Sequence, residues 1–105
     1  MKTKPEVVVD FFNEGGNIFF IEFQAMMTLA EQGYNAIAHE IPKVVKENAK
    51  DYYDALTIIG KYVELIPAEA EMQDEYYANK PEGMQDGRYI ADLVKRETIR
   101  RQNGR

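Results

Sequence analysis

The sequence predicts a mainly α protein: a small bundle of four to five helices that forms one domain over residues 1–105. Apolar residues recur at steps of three and four along much of the chain, and proline and glycine residues separate these periodic segments. The hydrophobic fraction of 45% is typical of a globular chain, and 105 residues suffice for one modest core. Because there is no cysteine, that core must be packed without disulfides.

The N-terminal residues 7–23 fit two alternatives, of which the first is a β-hairpin packed on helices. Two runs rich in valine, isoleucine and phenylalanine, 7–12 and 18–23, flank a segment that contains two glycines. One face of such a hairpin would be wholly apolar. A lone two-stranded sheet is marginal in a helical domain, however, and this weighs against the hairpin.

The second alternative, which we favour, is a helix over residues 18–32. Phe19, Phe23 and Met26 then follow one another at helical steps and would form the apolar face. Glu22 would project into the middle of that face. Burying an unpaired carboxylate costs several kcal/mol, so this placement calls for a partner or a raised pKa.

Two further helices are predicted in the middle of the chain, a short one over residues 34–41 and a long one over 43–66. Pro42 suits the first turn of the long helix, and Pro67 disfavours helix beyond it. Gly60 costs about 1 kcal/mol relative to alanine inside a helix, and we interpret it as the site of a close helix crossing. The apolar residues of the long segment recur at alternating steps of four and three: Val45, Ala49, Tyr52, Leu56, Ile59, Val63 and Ile66.

The C-terminal part predicts a short acidic helix over 68–78 and a last helix that begins after Asp86 as N-cap. An Asn-Gly pair beyond Gln102 supplies the usual stop signal. Beyond residue 95 only Ile99 offers a sizeable apolar side chain. The basic helix end at 96–105 is therefore expected to project from the domain.

Charge is divided sharply along the chain. Residues 88–105 include all five arginines and carry six positive and two negative side chains, a net +4 in a chain whose net charge is −5. The preceding segment 64–86 holds seven carboxylates against one lysine. A chain divided in this way can use either part to meet a charged partner.

The residues that most catalytic and metal sites require are missing. The sequence has neither cysteine nor serine, and its single histidine, His39, excludes sites that need two imidazoles. It also lacks a glycine-rich phosphate loop and a calcium-binding loop. We therefore expect no enzymatic activity, no cofactor, no metal and no small-molecule substrate.

No part of the sequence resembles a membrane or export segment. The most apolar stretch is interrupted by polar residues and is far shorter than the ~20 residues that cross a bilayer. The N-terminal residues lack the apolar run and cleavage site of a signal peptide. The expected compartment is the cytoplasm, without a membrane partner.

Two surfaces are candidates for binding a partner. The first combines acidic and aromatic side chains, which bury contact area while keeping a polar tip: Asp74, Glu75, Tyr76 and Tyr77. The second is the arginine cluster of the last helix: Arg96, Arg100, Arg101 and Arg105. Glu97 and Arg101 form an i,i+4 pair, and no aromatic residue follows Tyr89 to stack on a base.

These patterns predict a non-enzymatic protein–protein interaction module. It would act as a homo-oligomer or as a small subunit, adaptor or inhibitor of a larger assembly. The alternative is a nucleic-acid-binding accessory protein that uses the arginines of the C-terminal helix to contact phosphates.

Overall fold

The computed structural model describes residues 4–104, which form five α-helices and one small sheet. The elements in chain order are strand β1 (Glu6–Val9), helices α1 (Ile18–Glu31), α2 (Asn35–Asn48) and α3 (Tyr52–Ile59), strand β2 (Glu64–Pro67), and helices α4 (Ala70–Asn79) and α5 (Asp86–Asn103). A short 3-10 turn, Glu14–Gly16, precedes α1. The mainly α fold predicted from the sequence is confirmed, with a strand at its N-terminal end.

Strands β1 and β2 form a two-stranded parallel sheet in which Val7 lies opposite Leu65. The amide of Glu64 also donates to the carbonyl of Pro5 at 2.8 Å. The alternative of a hairpin over residues 7–23 is wrong, because only its first run is a strand and the second is helical. Parallel strands require a long crossover connection, which α1, α2 and α3 supply here.

Helix α1 buries a different face from the one that the aromatic spacing predicts. Ile21, Ala25 and Leu29 follow one another at steps of four and are fully buried. Phe19 and Phe23, predicted as apolar anchors, are 75% and 55% exposed. The helix is therefore present where the sequence predicts it, but its aromatic residues face outward.

The prediction of a single helix over residues 43–66 is wrong, because this segment contains the end of α2, all of α3 and most of β2. The short helix predicted over 34–41 is only the first half of α2. The helical path is interrupted before α3, where the Asp51 carboxylate accepts a hydrogen bond from the amide of Asp54 at 2.8 Å. The Asp54 carboxylate accepts in turn from the amide of Lys50 at 3.0 Å. This reciprocal pair resembles a capping box, and it starts a new helix within the apolar pattern.

Helix α2 continues through Pro42, although the sequence predicts that a helix starts there. Proline has no amide hydrogen, so the carbonyl of Ala38 lacks its usual partner four residues on. The helix nevertheless extends to Asn48, whose side chain donates to the carbonyl of Val44 at 2.9 Å. Pro42 lines a surface groove together with Ile18, Phe19 and Glu22 of α1.

Gly60 and Gly87 mark the place where α3 and α5 cross. A Cβ atom added at Gly60 would lie 2.3 Å from the Cα atom of Gly87, and one added at Gly87 would lie 2.6 Å from the carbonyl oxygen of Thr57. The interpretation of Gly60 as a crossing site is confirmed. The close approach brings Ile90 and Val94 of α5 into the core.

The two C-terminal helices lie close to their predicted positions, although α4 begins later than the predicted range 68–78. Asp86 is the first residue of α5 rather than its cap, which is Gln85. The Asp86 carboxylate forms ion pairs with Lys4, at 3.3 Å, and with Lys80. The Lys4 pair joins the start of α5 to the segment that enters β1, and the Lys80 pair joins it to the end of α4.

Candidate functional site

The four residues predicted as an acidic surface on α4, 74–77, differ in burial. Tyr76 is 2% exposed; its hydroxyl donates to the Glu64 carboxylate at 2.8 Å, and its ring stacks on Tyr89 with 5.7 Å between the centroids. Burial and the Glu64 carboxylate raise the pKa of Tyr76, so that its hydroxyl remains a donor. Tyr76 is therefore a core residue. The other members are more accessible: Tyr77 (60% exposed), Asp74 (exposed) and Glu75 (half-buried).

The helix end at 96–105, expected to project, is held against the body at Arg101. The Arg101 guanidinium donates to both carboxylate oxygens of Glu69, at 2.7 and 2.9 Å, and its Nε donates to Glu97 at 2.8 Å. Its central carbon also lies 3.9 Å from the centroid of the Phe12 ring. Arg101 is therefore largely engaged inside the protein.

The other predicted arginines are accessible but surrounded by carboxylates. Arg96 and Arg100 are exposed, and Arg105 lies outside the described residues. Hydrogen bonds from Arg100 and Arg101 lower the pKa of Glu97 to about 2. Four carboxylates share one surface pocket with Arg96, Arg100 and Arg101: Glu69, Glu71, Glu75 and Glu97. Such mixed charge is a poor match for a phosphate backbone.

The most exposed apolar surface lies on α1, where sequence reasoning did not place a site. Phe19, Phe20, Phe23 and Met27 are between 44% and 75% exposed, and three of them are spaced four residues apart on one stripe. Val8 of β1 is 56% exposed and lines a shallow surface pocket together with Met27. We call these five residues the aromatic face. Contiguous exposed apolar patches commonly mark interaction sites.

An apolar groove of about 710 Å³ adjoins the aromatic face, between α1, α2 and the start of α3. This volume lies within the range of ligand-binding clefts. Phe19 lines the groove as well, so the two surfaces are continuous. The other apolar walls come from all three helices and the segment before α3: Ile18, Pro42, Val45, Ala49, Tyr52 and Ala55.

Glu22 lies in this groove and is the one buried charged residue among residues 4–104. Its side chain is 8% exposed. Burial raises the pKa of Glu22, and within the described part of the chain no hydrogen bond or nearby positive charge lowers it. The helical alternative of the sequence placed Glu22 among apolar side chains and left its burial open, and the groove around it depends on the packing of three helices.

The polar neighbours of Glu22 in the groove are engaged elsewhere or face solvent. The Tyr52 hydroxyl donates to the carbonyl of Gly16 at 2.5 Å, and burial raises the pKa of Tyr52 to about 12, which keeps that proton in place. Lys46 and Lys50 are exposed at the rim. The groove thus has apolar walls, the Glu22 carboxylate inside, and Lys46, Lys50 and the exposed Asp51 at its rim.

Replacing Glu22→Gln is expected to stabilise the protein near pH 7, because it removes a charge from a side chain whose ionised form is disfavoured by burial. A carboxyl whose pKa is raised by folding contributes stability below its ordinary value of 4.5, and that contribution is lost as pH rises through the folded pKa. The gain of the variant should therefore shrink toward pH 4. Urea unfolding at both pH values measures it.

Glu31→Gln is the matched control for this prediction, since Glu31 is an exposed carboxylate on the same helix. It should leave the free energy of unfolding almost unchanged at either pH. A Glu22→Gln chain that is less stable than wild type at pH 7 would mean that the carboxylate is satisfied in the folded state.

Comparison with protein-family models, with curated proteins and with solved structures finds no match to this chain. Among residues 4–104, no three histidine, aspartate or glutamate side chains come together as a group that could hold a metal ion. In the same part of the chain, every helix is too short or too polar to cross a bilayer. Functional inference therefore depends on the surface itself.

Proposed function

We propose that this chain is a non-enzymatic protein–protein interaction module whose contact surface is the aromatic face of α1. The observation that carries the proposal is the exposure of three phenylalanines and one methionine on a single helix. Aromatic residues and methionine are enriched in protein interfaces, where they bury large apolar areas. The partner is a second copy of the chain or a subunit of a larger assembly, and the expected compartment remains the cytoplasm.

The acidic surface of α4 offers less to a partner than the aromatic face does. Tyr76 is buried, which leaves Tyr77 as its exposed aromatic side chain. Charged side chains around an isolated aromatic residue are typical of an ordinary solvated surface. We therefore place Asp74, Glu75 and Tyr77 at most at the edge of an interface.

The basic end of α5 supports the nucleic-acid alternative poorly. Arg101 is held by Glu69 and Glu97, and Arg100 also binds Glu97, so much of the positive charge is already compensated within the protein. A phosphate backbone would have to compete with these carboxylates. The protein partner is the better supported of the two.

Photo-crosslinking inside the native cell tests the position of the contact surface. A photoreactive phenylalanine analogue placed at Phe23 is expected to crosslink to another protein chain, because this side chain would lie within the interface. The same analogue at Tyr77, which is 60% exposed against 55% for Phe23, is the matched control and should give little product. Crosslinks at Tyr77 and none at Phe23 would contradict the proposal.

A further inference from the structure

The groove beside the aromatic face contains a charge that the described protein leaves uncompensated. Glu22 is 8% exposed and forms no hydrogen bond or ion pair with residues 4–104. Its carboxylate oxygens still touch the solvent of the groove, because among residues 4–104 the one fully buried side-chain nitrogen or oxygen without a hydrogen-bond partner belongs to Asp10. A carboxylate that is largely removed from water and has no partner is nevertheless disfavoured. A ligand that brings a positive charge into the groove would remove this cost on binding.

The lysines at the rim do not fill this role. Lys46 and Lys50 line the groove but are exposed, and neither forms an ion pair with Glu22. Tyr52 also lines the groove, and its hydroxyl donates to the carbonyl of Gly16 instead. The carboxylate is therefore available to a group from another molecule.

We propose that the groove binds an amphipathic helix of a partner protein that carries a lysine or arginine within its apolar face, with the positive charge placed on Glu22. This inference rests on the proposed function and specifies the chemistry of the partner. The apolar walls match the apolar face of a helix, in the helix-in-groove mode of recognition. The long aliphatic stems of lysine and arginine can lie along such walls while their charged ends reach the carboxylate.

The charges around the groove also select against unsuitable partners. A strongly basic segment would meet Lys46 and Lys50 at the rim, where Asp51 offsets one of the two positive charges, before it reached Glu22. One basic residue inside an otherwise apolar face, with neutral or acidic residues beside it, avoids this repulsion. The groove therefore discriminates by a repulsive as well as an attractive element.

The test is a selection from a displayed library of amphipathic helical peptides with apolar residues at positions i, i+3, i+4 and i+7. Each of these positions is randomised in turn, and the baits are the 105-residue wild-type chain, Glu22→Gln and Glu31→Gln. Wild type and Glu31→Gln are expected to enrich lysine or arginine at one apolar position. The enriched peptides should bind Glu22→Gln at least about tenfold more weakly, as expected for the loss of a charge-assisted hydrogen bond.

The inference would be overturned by the absence of enrichment with wild type, by enrichment of wholly apolar faces, or by binding that is unchanged in Glu22→Gln. Self-association of the chain through this groove, with no peptide able to displace it, would also overturn it. A Phe23→Ser bait distinguishes failure of the Glu22 inference from failure of the proposed interface on the aromatic face. Phe23 belongs to that face but does not line the groove. If peptides no longer bind Phe23→Ser but still bind Glu22→Gln, the aromatic face remains the proposed interface and Glu22 has no role in recognition.

Discussion

Gly87→Ala is expected to cost about 3 kcal/mol or more of folding free energy, a large share of the 5–15 kcal/mol that stabilises a typical domain. Its new Cβ atom would lie 2.6 Å from the carbonyl oxygen of Thr57 and 2.9 Å from the Cα atom of Gly60. Both contacts are with backbone atoms, so no side chain can rotate away. Helices α3 and α5 would have to move apart, which opens the core between them.

Urea unfolding followed by circular dichroism measures this effect. Alanine is favoured over glycine inside a helix by up to about 1 kcal/mol, so any net loss must come from the helix crossing. Gly15→Ala is the control, because a Cβ atom there would make only ordinary contacts at 3.5 Å or more. A Gly87→Ala chain as stable as wild type would show that the two helices are not packed this closely.

The double replacement Phe19→Ser with Phe23→Ser is expected to weaken partner binding at least about a hundredfold while the fold is retained. Central aromatic residues of an interface commonly contribute 2 kcal/mol or more each when truncated, and 1.4 kcal/mol corresponds to a factor of ten. Both side chains are more than half exposed, so their removal leaves no cavity in the core. Serine and phenylalanine also have similar helix propensities, which preserves α1.

The ends of helix α5 could be predicted because they depend on residues that are close together in the sequence. The start of α5 near Asp86 and its end near Gln102 follow from helix-terminus chemistry that involves only a few adjacent residues. Gly60 follows the last residue of α3 rather than lying inside a helix, and it was informative because glycine permits a close approach of two backbones. The Asp51–Asp54 capping pair was also readable from the sequence, but the apolar periodicity that runs through it obscured the break.

The orientation of α1 could not be predicted from its own residues. A helix selects its buried face by contrast with a polar face, and α1 has apolar residues on nearly every side. Packing against α2 and β1 decides which of them are buried. The excess of apolar surface, rather than its periodicity, was the available indication of a binding face.

The sheet and the groove depend on contacts between distant parts of the chain. β1 pairs with β2 across three helices, and nothing within residues 6–9 specifies that partner. Glu22 was identifiable from the sequence as a costly carboxylate, whereas the groove around it requires Pro42, Tyr52 and their helices in place. The sequence thus singled out Glu22, although on the face of Phe19 and Phe23, which is exposed, and it did not indicate the groove.

Quantitative mass spectrometry of proteins captured from the native cell tests most directly whether the aromatic face is the binding surface. The baits are wild type, Phe19→Ser with Phe23→Ser, and Arg100→Ala as an exposed control on α5, all in nuclease-treated lysate, with sedimentation of each purified chain to detect self-association. A partner or self-association is expected with wild type and Arg100→Ala and should be lost with the double variant. Equal recovery by the double variant, or loss with Arg100→Ala alone, would contradict the assignment of the interface to α1.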